Sequence, residues 1–469
     1  MNSRNRFGLP QNDTLIAALL LLTIGLVLIA RLIGRDWLWY FAWTSMAGTV
    51  SVTLPKLRMR EFYLLGLSGL IATYIWNTRE DHAEILTGAL DQAGFLMVFI
   101  LLLAMLREAA MTSPSIADLG AFMTRQKPGR RYVTLYSGTG FMAVIFNVGV
   151  VSFLVPLIQR GIAQVNAQDG RDQLRERRQV SAMLRGFAWS VVWSPTALAP
   201  LALMELIPGI DRVKWITLGF VVAMFALLLG WAEDKWRFRD YKPSGNAVAL
   251  PLPTKALFLF FATCTWLLGL TALVSEITGD SMVFGLMVAC PLMLVGWLVV
   301  QNGFGTESRK TIQSRLREIL FQSVPQSAAI AVTLACSGFL GRAGAGIVPG
   351  NELVNMLGLH AMPDWLLLAT IPIVLCLFSL LAFSPIMMAI FFGSLFGNLH
   401  TLPADPTMIA LSISIGWAVS MTFSPFATVV LLTQRVSGIR ASQLTLNWNL
   451  MFSVLVILFL FPFFLSLYF

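Results

Sequence analysis

The chain has 469 residues, of which 57% are hydrophobic and only 12% are charged. Soluble domains carry about 25% charged residues, so the composition excludes a soluble enzyme, a disordered scaffold and a secreted disulfide module. Runs such as 15–29, 216–231 and 451–469 are apolar on every helical face, which is typical of helices in contact with lipid. The sequence therefore predicts an all-α polytopic membrane protein.

Apolar runs between charge clusters predict eleven membrane-spanning helices. These cover residues 14–32, 37–54, 61–76, 90–106, 180–206, 214–231, 255–275, 282–300, 322–341, 405–433 and 446–468. Two further apolar stretches, 133–160 and 365–398, are interrupted by polar residues, Gly or Pro, and we predict that each is a re-entrant hairpin. Short in-plane helices are predicted at 114–124 and 350–358, the first because Ser113-Pro114 is a typical helix start.

The 33 basic and 24 acidic residues give a net charge of +9, which in a soluble protein would suggest a nucleic-acid partner. With the N-terminus in the cytoplasm, 26 of the 33 basic residues fall in cytoplasmic loops, as the positive-inside rule requires. The charge pattern therefore predicts a multi-pass inner-membrane protein with a cytoplasmic N-terminus. The excess of basic residues is thus accounted for without a nucleic-acid partner.

The residues that most often bind metals are scattered along the chain. Cys264, Cys290, Cys336 and Cys376 all lie inside apolar segments, so we predict that they are core residues. The three histidines fall in separate outer loops, and we expect no metal, no bound cofactor and no catalytic residue. Trp215 lies near the end of a predicted span and is interpreted as an interfacial anchor.

The second half of the chain resembles the first. The segment 187–197 matches 417–427, so that Ser194-Pro195 aligns with Ser424-Pro425, and Asn147 of the first hairpin corresponds to Ser384 of the second. Five crossings in each repeat is an odd number, so the second copy is predicted to be inverted across the membrane. The predicted divisions are an N-terminal segment (1–36), repeat 1 (37–232), a cytoplasmic linker (233–254) and repeat 2 (255–469).

The Ser-Pro steps predict that the spans 180–206 and 405–433 are broken helices. Proline removes a backbone donor, and the freed carbonyls must be buried in protein or line a cavity. Such carbonyls and nearby hydroxyls suit a small cation, whereas helix N-termini suit an anion. The predicted substrate- or ion-binding residues are Asn147, Ser194, Thr196, Ser384, Ser420, Ser424 and Thr428. Arg185 either contacts an anion or extends to the inner interface.

This topology resembles the ion transporter superfamily, and most nearly the divalent anion:sodium symporters. The likeness consists of eleven crossings, two opposed hairpins and a Pro-broken span after each hairpin. Members carry Ser-Asn-Thr at both hairpin tips, where this chain has Phe146-Asn147-Val148 and Phe383-Ser384-Pro385. The resemblance implies ion coordination by Asn147 with Ser194 and by Ser384 with Ser424. It also implies coupling to Na⁺ or H⁺, a homodimeric scaffold and an elevator motion.

The predicted function is secondary active transport of a small anionic solute, either an organic acid or an oxyanion. One alternative is a translocase for lipid-linked or polyprenyl-phosphate substrates, which could use the same inverted hairpins. A second alternative is a polytopic membrane transferase. That activity normally needs an acid or histidine cluster at one face, so a non-enzyme is expected.

Overall fold

A computed structural model describes residues 11–165, 170–240, 249–303 and 305–467, and every regular element in these ranges is helical. The first half contains α1 (Gln11–Ile33), α2 (Asp36–Thr53), α3 (Met59–Thr78), α4 (His82–Ala110), α5 (Pro114–Thr124), α6 (Pro128–Phe146), α7 (Gly149–Val165), α8 (Asp172–Trp193), α9 (Leu198–Leu206) and α10 (Arg212–Arg237). The second half contains α11 (Thr254–Thr278), α12 (Met282–Asn302), α13 (Thr306–Glu318), α14 (Val324–Gln326), α15 (Ala328–Ile347), α16 (Gly350–Met356), α17 (Asp364–Leu380), α18 (Pro385–Gly397), α19 (Pro406–Phe423), α20 (Thr428–Ser437) and α21 (Leu450–Ser466). A 3-10 turn covers Leu54–Lys56, and π-helical segments cover Ile319–Ser323 and Gln443–Asn449.

Within the described residues, nine helical segments are long and apolar enough to cross a membrane, and the polytopic all-α prediction is confirmed. They are Asn12–Ile33, His82–Ala110, Asp172–Leu206, Arg212–Arg237, Thr254–Thr278, Met282–Asn302, Ala328–Ile347, Pro406–Ser437 and Gln443–Ser466. Each overlaps one predicted span. The other two predicted spans correspond to α2 and α3, which are helical but are not among these nine segments.

The chain divides into two compact units, each assembled from two separate segments. Unit 1 contains residues 1–113 and 263–348. In this unit α4 packs against α12 and α15, and Gly338 of α15 lies so close to α4 that an added Cβ would be 2.9 Å from the carbonyl oxygen of Gln92. The bidentate pair of Arg31 with Asp280 joins the end of α1 to the loop before α12.

Unit 2 contains residues 114–262 and 349–469, and its centre is the packing of α8 against α19. The helix α8 also packs on α6 and α10, while α19 packs on α17. Contact between α6 and α8 depends on glycine, because a Cβ at Gly186 would lie 2.2 Å from the carbonyl oxygen of Tyr136. The apolar cores of both broken spans are therefore buried in protein.

Each predicted hairpin corresponds to a pair of helices in unit 2. The first pair is α6 and α7, joined by Asn147 and Val148, and the second is α17 and α18, joined by residues 381–384. Each pair follows a short helix, α5 or α16, near the predicted in-plane positions. Entry of these pairs from one membrane face stays a prediction, as do the two repeats and their inversion.

Candidate functional site

The two Ser-Pro steps interrupt their helices with the same backbone conformation. Ser194 ends α8 in an extended conformation (φ −69°, ψ 126°), and Ser424 ends α19 likewise (φ −91°, ψ 128°). Three residues later Ala197 and Ala427 are both extended and immediately precede α9 and α20. The amide of each alanine donates to the serine carbonyl, over 3.1 Å and 3.3 Å respectively.

The first break is hydrogen-bonded to the end of α6. The Thr196 hydroxyl donates to the carbonyl of Val144 over 2.6 Å and lies 3.2 Å from the Ser194 hydroxyl. Both hydroxyl residues are almost completely buried. Since Val144 is in the last turn of α6, this bond brings the break to the helix end that Asn147 caps.

The second break is hydrogen-bonded to the end of α17, but through the serine of the Ser-Pro step itself. The Ser424 hydroxyl donates to the carbonyl of Ser379 over 2.7 Å, next to the last residue of that helix. Ser384 lies four residues beyond the end of α17, immediately before α18, and it is buried. Each break is therefore hydrogen-bonded to a helix end within its own helix pair. The predicted pairing of Asn147 with Ser194 and of Ser384 with Ser424 stays a prediction.

Both tips contain a non-glycine residue with positive φ. Asn147 has φ 47° and ψ −137°, and Ala382 has φ 66°. Positive φ places Cβ against the backbone and costs about 1–2 kcal/mol, and such conformations concentrate at functional sites. The Asn147 side chain accepts a 2.7 Å hydrogen bond from the amide of Val148 and so stabilises its own turn.

The helix that follows each break packs against the helix pair of the other break. The helix α9, which follows the first break, packs on α18 of the second pair, and α20 packs on α7 of the first pair. At Gly397 of α18 an added Cβ would be only 1.9 Å from the carbonyl oxygen of Leu206 in α9. On the other side, the Gln159 amide of α7 donates to the carbonyl of Ser437 at the end of α20.

The remaining predicted binding residues have different environments. The Ser420 hydroxyl donates to the carbonyl of Gly416 in its own helix over 2.7 Å, as Ser190 does to Phe187. Thr428 begins α20 and is half-buried. Among the described residues no side-chain hydrogen bond joins one break to the other.

Trp215 is not an interfacial anchor, contrary to the sequence interpretation. Its ring is 2% exposed, and its indole N–H donates to the carbonyl of Val192 beside the first break over 3.0 Å. The corresponding contact at the second break is between the hydroxyls of Thr422 and Ser453, which lie 2.9 Å apart. Helices α10 and α21 thus each supply a polar side chain beside the adjacent break.

Arg185 is buried within unit 2 and does not extend to an interface. Its side chain is 2% exposed, and its guanidinium contacts the Glu233 carboxylate at 2.9 Å and the Asn449 side-chain oxygen at 2.8 Å. The same group lies 3.2 Å from the Tyr132 hydroxyl and over the Phe452 ring, with its carbon 4.2 Å from the centroid. Glu233 already supplies one negatively charged partner for Arg185. Contact of Arg185 with a substrate anion stays a prediction.

Sequence reasoning missed Glu233 and Asn449 as members of a buried polar network. Glu233 is 2% exposed on the side chain and bridges Arg185 and Arg237, while Asn449 ends the second π-helical segment. The only sequence signal for this network was Arg185 itself, since a charge among apolar residues requires a partner.

All four cysteines are buried free thiols, as predicted.

No protein-family model matches the sequence, and no curated protein matches it. The structure, however, is similar to the crystal structure of the Alcanivorax borkumensis YdaH transporter, which was described as having an unusual topology. The TM-score is 0.51 at 13% sequence identity, over 87% of this chain and 98% of that one. The fold resembles that of a transporter. This similarity concerns the fold alone, and a specific likeness to the divalent anion:sodium symporters stays a prediction.

Proposed function

We propose that the chain is an ion-coupled secondary transporter that moves a small anionic solute, an organic acid or an oxyanion. The observation that carries this proposal is the matched pair of breaks, each hydrogen-bonded through a buried hydroxyl to the tip of its own helix pair. Interrupted helices with free carbonyls and free helix N-termini are how transporters bind ions and anions inside the membrane.

The proposed binding residues are Asn147 with Ser194 and Thr196, and Ser384 with Ser424, with Ser420 and Thr428 beside the second break. Their oxygens are neutral, so a coupling ion would be held by carbonyl and hydroxyl dipoles. Na⁺ suits such oxygen ligands directly, whereas H⁺ coupling would require a titratable group nearby. We propose a homodimer in the inner membrane with a cytoplasmic N-terminus.

Alternating access is proposed to occur by an elevator motion. Unit 2 contains both helix pairs and both breaks. It begins at Pro114, the first residue of α5, and again at Pro349, the residue before α16. A compact unit that carries the whole proposed binding region is suited to move as one body. The helices α5 and α16 would then connect the moving body to the remainder of the chain.

Transport by purified protein in proteoliposomes tests this function. Dicarboxylates, citrate and oxyanions would each be supplied under a sodium gradient, a proton gradient and no gradient. We expect uptake of at least one anion that depends on an ion gradient and falls at least tenfold in Ser384→Ala/Ser424→Ala. Ser190→Ala is the matched control, because that hydroxyl bonds only within its own helix. Equal uptake by wild type and empty vesicles, with folded protein, would reject the proposal.

A lipid-linked substrate is the alternative, and one groove favours it. A cavity of about 500 Å³ is lined mainly by apolar side chains of α10, α19 and the C-terminal segment, together with the ion pair of Lys214 with Asp405. An apolar groove with one charged pair suits an amphiphile. Transfer of a fluorescent polyprenyl phosphate between leaflets, without uptake of soluble anions, would favour this function.

A further inference from the structure

A small cavity lies among the charged ends of α8, α10 and the second π-helical segment in unit 2. It has about 10 Å³ of free space, the size that holds one water-sized species. The lining residues are Arg177, Arg178, Ser181, Arg185, Glu233, Asp234, Arg237, Phe238 and Trp448. None of its lining residues belongs to a Ser-Pro break, and Ser181 precedes Ser194 by more than three helical turns.

The cavity lining carries more positive than negative charge. Four guanidinium groups face two carboxylates: Glu233 bridges Arg185 and Arg237, and Asp234 pairs with Arg178. Arg177 has no carboxylate partner among the described residues. Its guanidinium donates to the carbonyl of Asn447 and lies over the Phe238 ring. Two positive charges are therefore uncompensated in a partly desolvated place, where like charges repel strongly.

Ser181 supplies a second, independent indication of a ligand. The residue is 6% exposed, and its buried hydroxyl has no hydrogen-bond partner within the described residues. It lies one turn from Arg177 and one turn from Arg185, on the same face of α8. Buried hydroxyls are normally hydrogen-bonded, and an anion in the cavity would accept a hydrogen bond from this one.

We propose that this cavity binds a monatomic anion of the halide class, with chloride as the physiological example. Such an ion accepts hydrogen bonds from the Ser181 hydroxyl and from guanidinium groups, and it offsets the excess positive charge. A water molecule would satisfy the hydroxyl but would leave the charge uncompensated. Carboxylates and phosphates are larger than the cavity. The site joins α8 to α10 and the π-helical segment.

Thermal unfolding of the full-length protein in detergent tests this site. Chloride or bromide would be titrated against gluconate at equal ionic strength, so that general screening is the same in every sample. We expect a saturable rise in Tm with the halide, since a ligand that binds only the native state stabilises it. Ser181→Ala and Arg177→Gln should weaken the apparent affinity at least tenfold, whereas Arg239→Gln, whose side chain is 71% exposed, should not.

Equal Tm values in chloride and gluconate would overturn the proposal, as would an unchanged halide response in Ser181→Ala. Because the variants could fail to fold, anomalous diffraction from bromide-soaked crystals of the wild type provides a separate measurement. A bromide peak within hydrogen-bond distance of the Ser181 hydroxyl is the expected result. A water molecule at that position in bromide would exclude the site.

Discussion

The guanidinium of Arg185 lies 2.9 Å from the carboxylate of Glu233, and both side chains are only 2% exposed. The pair connects α8 to α10, and Tyr132 and Asn449 extend the network to α6 and the segment before α21. Burial of two charges is costly unless each is paired and hydrogen-bonded. Pairing with Glu233 and hydrogen bonding to Tyr132 and Asn449 are therefore what allow Arg185 to be buried in unit 2.

Removal of either member of this pair should destabilise the protein strongly. Glu233→Gln leaves Arg185 buried without its carboxylate partner, and Arg185→Met leaves Glu233 with Arg237 alone. Breaking a buried pair of this kind costs about 3–5 kcal/mol. Arg185→Met/Glu233→Met should cost clearly less than the sum of the single changes, because both charges are gone. Denaturant unfolding in detergent measures all of these variants. Additive costs in the double variant would contradict the interpretation of a coupled pair.

The two breaks should be sensitive to loss of a single hydroxyl. Thr196→Val and Ser424→Ala each leave a buried carbonyl, that of Val144 or Ser379, without its donor, at a cost of about 1–3 kcal/mol. We expect comparable losses at the two breaks, since each hydroxyl bonds one carbonyl near the end of a helix in its own pair. Unfolding experiments should also include Ser190→Ala as control, with a loss below about 1 kcal/mol. A large loss at one break and none at the other would argue against equivalence.

Sequence reasoning predicted the helices and the breaks, because both are local. A long apolar run is sufficient to identify a span, and a Ser-Pro step that recurs in a matching context is sufficient to identify an interruption. The Arg185 partner could not be identified this way. Glu233 is 48 positions away in the chain, and it is followed by Asp234, Lys235 and Arg237, so that it resembles one of many charges at a membrane interface.

Trp215 shows a second reason why an interpretation from the sequence was wrong. It lies among Arg212, Lys214 and the start of α10, a context typical of an interfacial tryptophan. Which way the ring points depends on the rotation of α10 against α8, and the close approach at Gly219 determines that rotation. An added Cβ there would be 2.3 Å from the carbonyl oxygen of Val192. Packing between helices, which has no local signature, decided the role of this residue.

Gly397→Ala should weaken unit 2. A methyl group at this position would collide with the carbonyl oxygen of Leu206, and α18 would have to separate from α9. Overpacking of this kind typically costs about 1–3 kcal/mol. The matched control is Gly161→Ala in α7, where nothing lies within 4 Å of the added Cβ, and where helix propensity predicts a small gain. Both are measured by thermal unfolding; equal Tm values for the two variants would contradict this packing.

Ala382→Gly should preserve or increase stability. Glycine adopts positive φ without steric cost, so relief of the strain at φ 66° offsets the greater flexibility of the unfolded chain, with a net gain of up to about 1 kcal/mol. Ala382→Val should have the opposite sign, because a β-branched residue is strongly disfavoured there. Unfolding midpoints of the two variants are compared with the wild type. A stabilising valine would mean that this turn is not strained.

Acid should weaken the Arg31–Asp280 contact. Burial alone would raise the pKa of Asp280, but hydrogen bonds from Arg31 and Ser281 outweigh it and hold the pKa below its ordinary value of 3.8. The stabilisation is therefore fully present above that ordinary value, and it is lost as pH falls through the lower pKa of the folded state. Since both side chains are partly exposed, the effect is about 1 kcal/mol or less.

Unfolding of the wild type and Asp280→Asn between about pH 6 and pH 3 checks this contact. The difference between the two proteins should be constant near neutral pH and should shrink toward the acid end. A difference that grows as the pH falls would have the wrong sign and would exclude the assigned role of Asp280.

The exchange of partners between α9 and α18, and between α20 and α7, has a consequence for biosynthesis. When a ribosome has completed the first half of the chain, α7 and α9 are already in the membrane, but the surfaces that cover them have not been synthesised. Unit 2 therefore cannot mature in chain order, and its closure must wait for α20. An emerging first half would depend on lipid or on the insertion machinery to shield these helices until then.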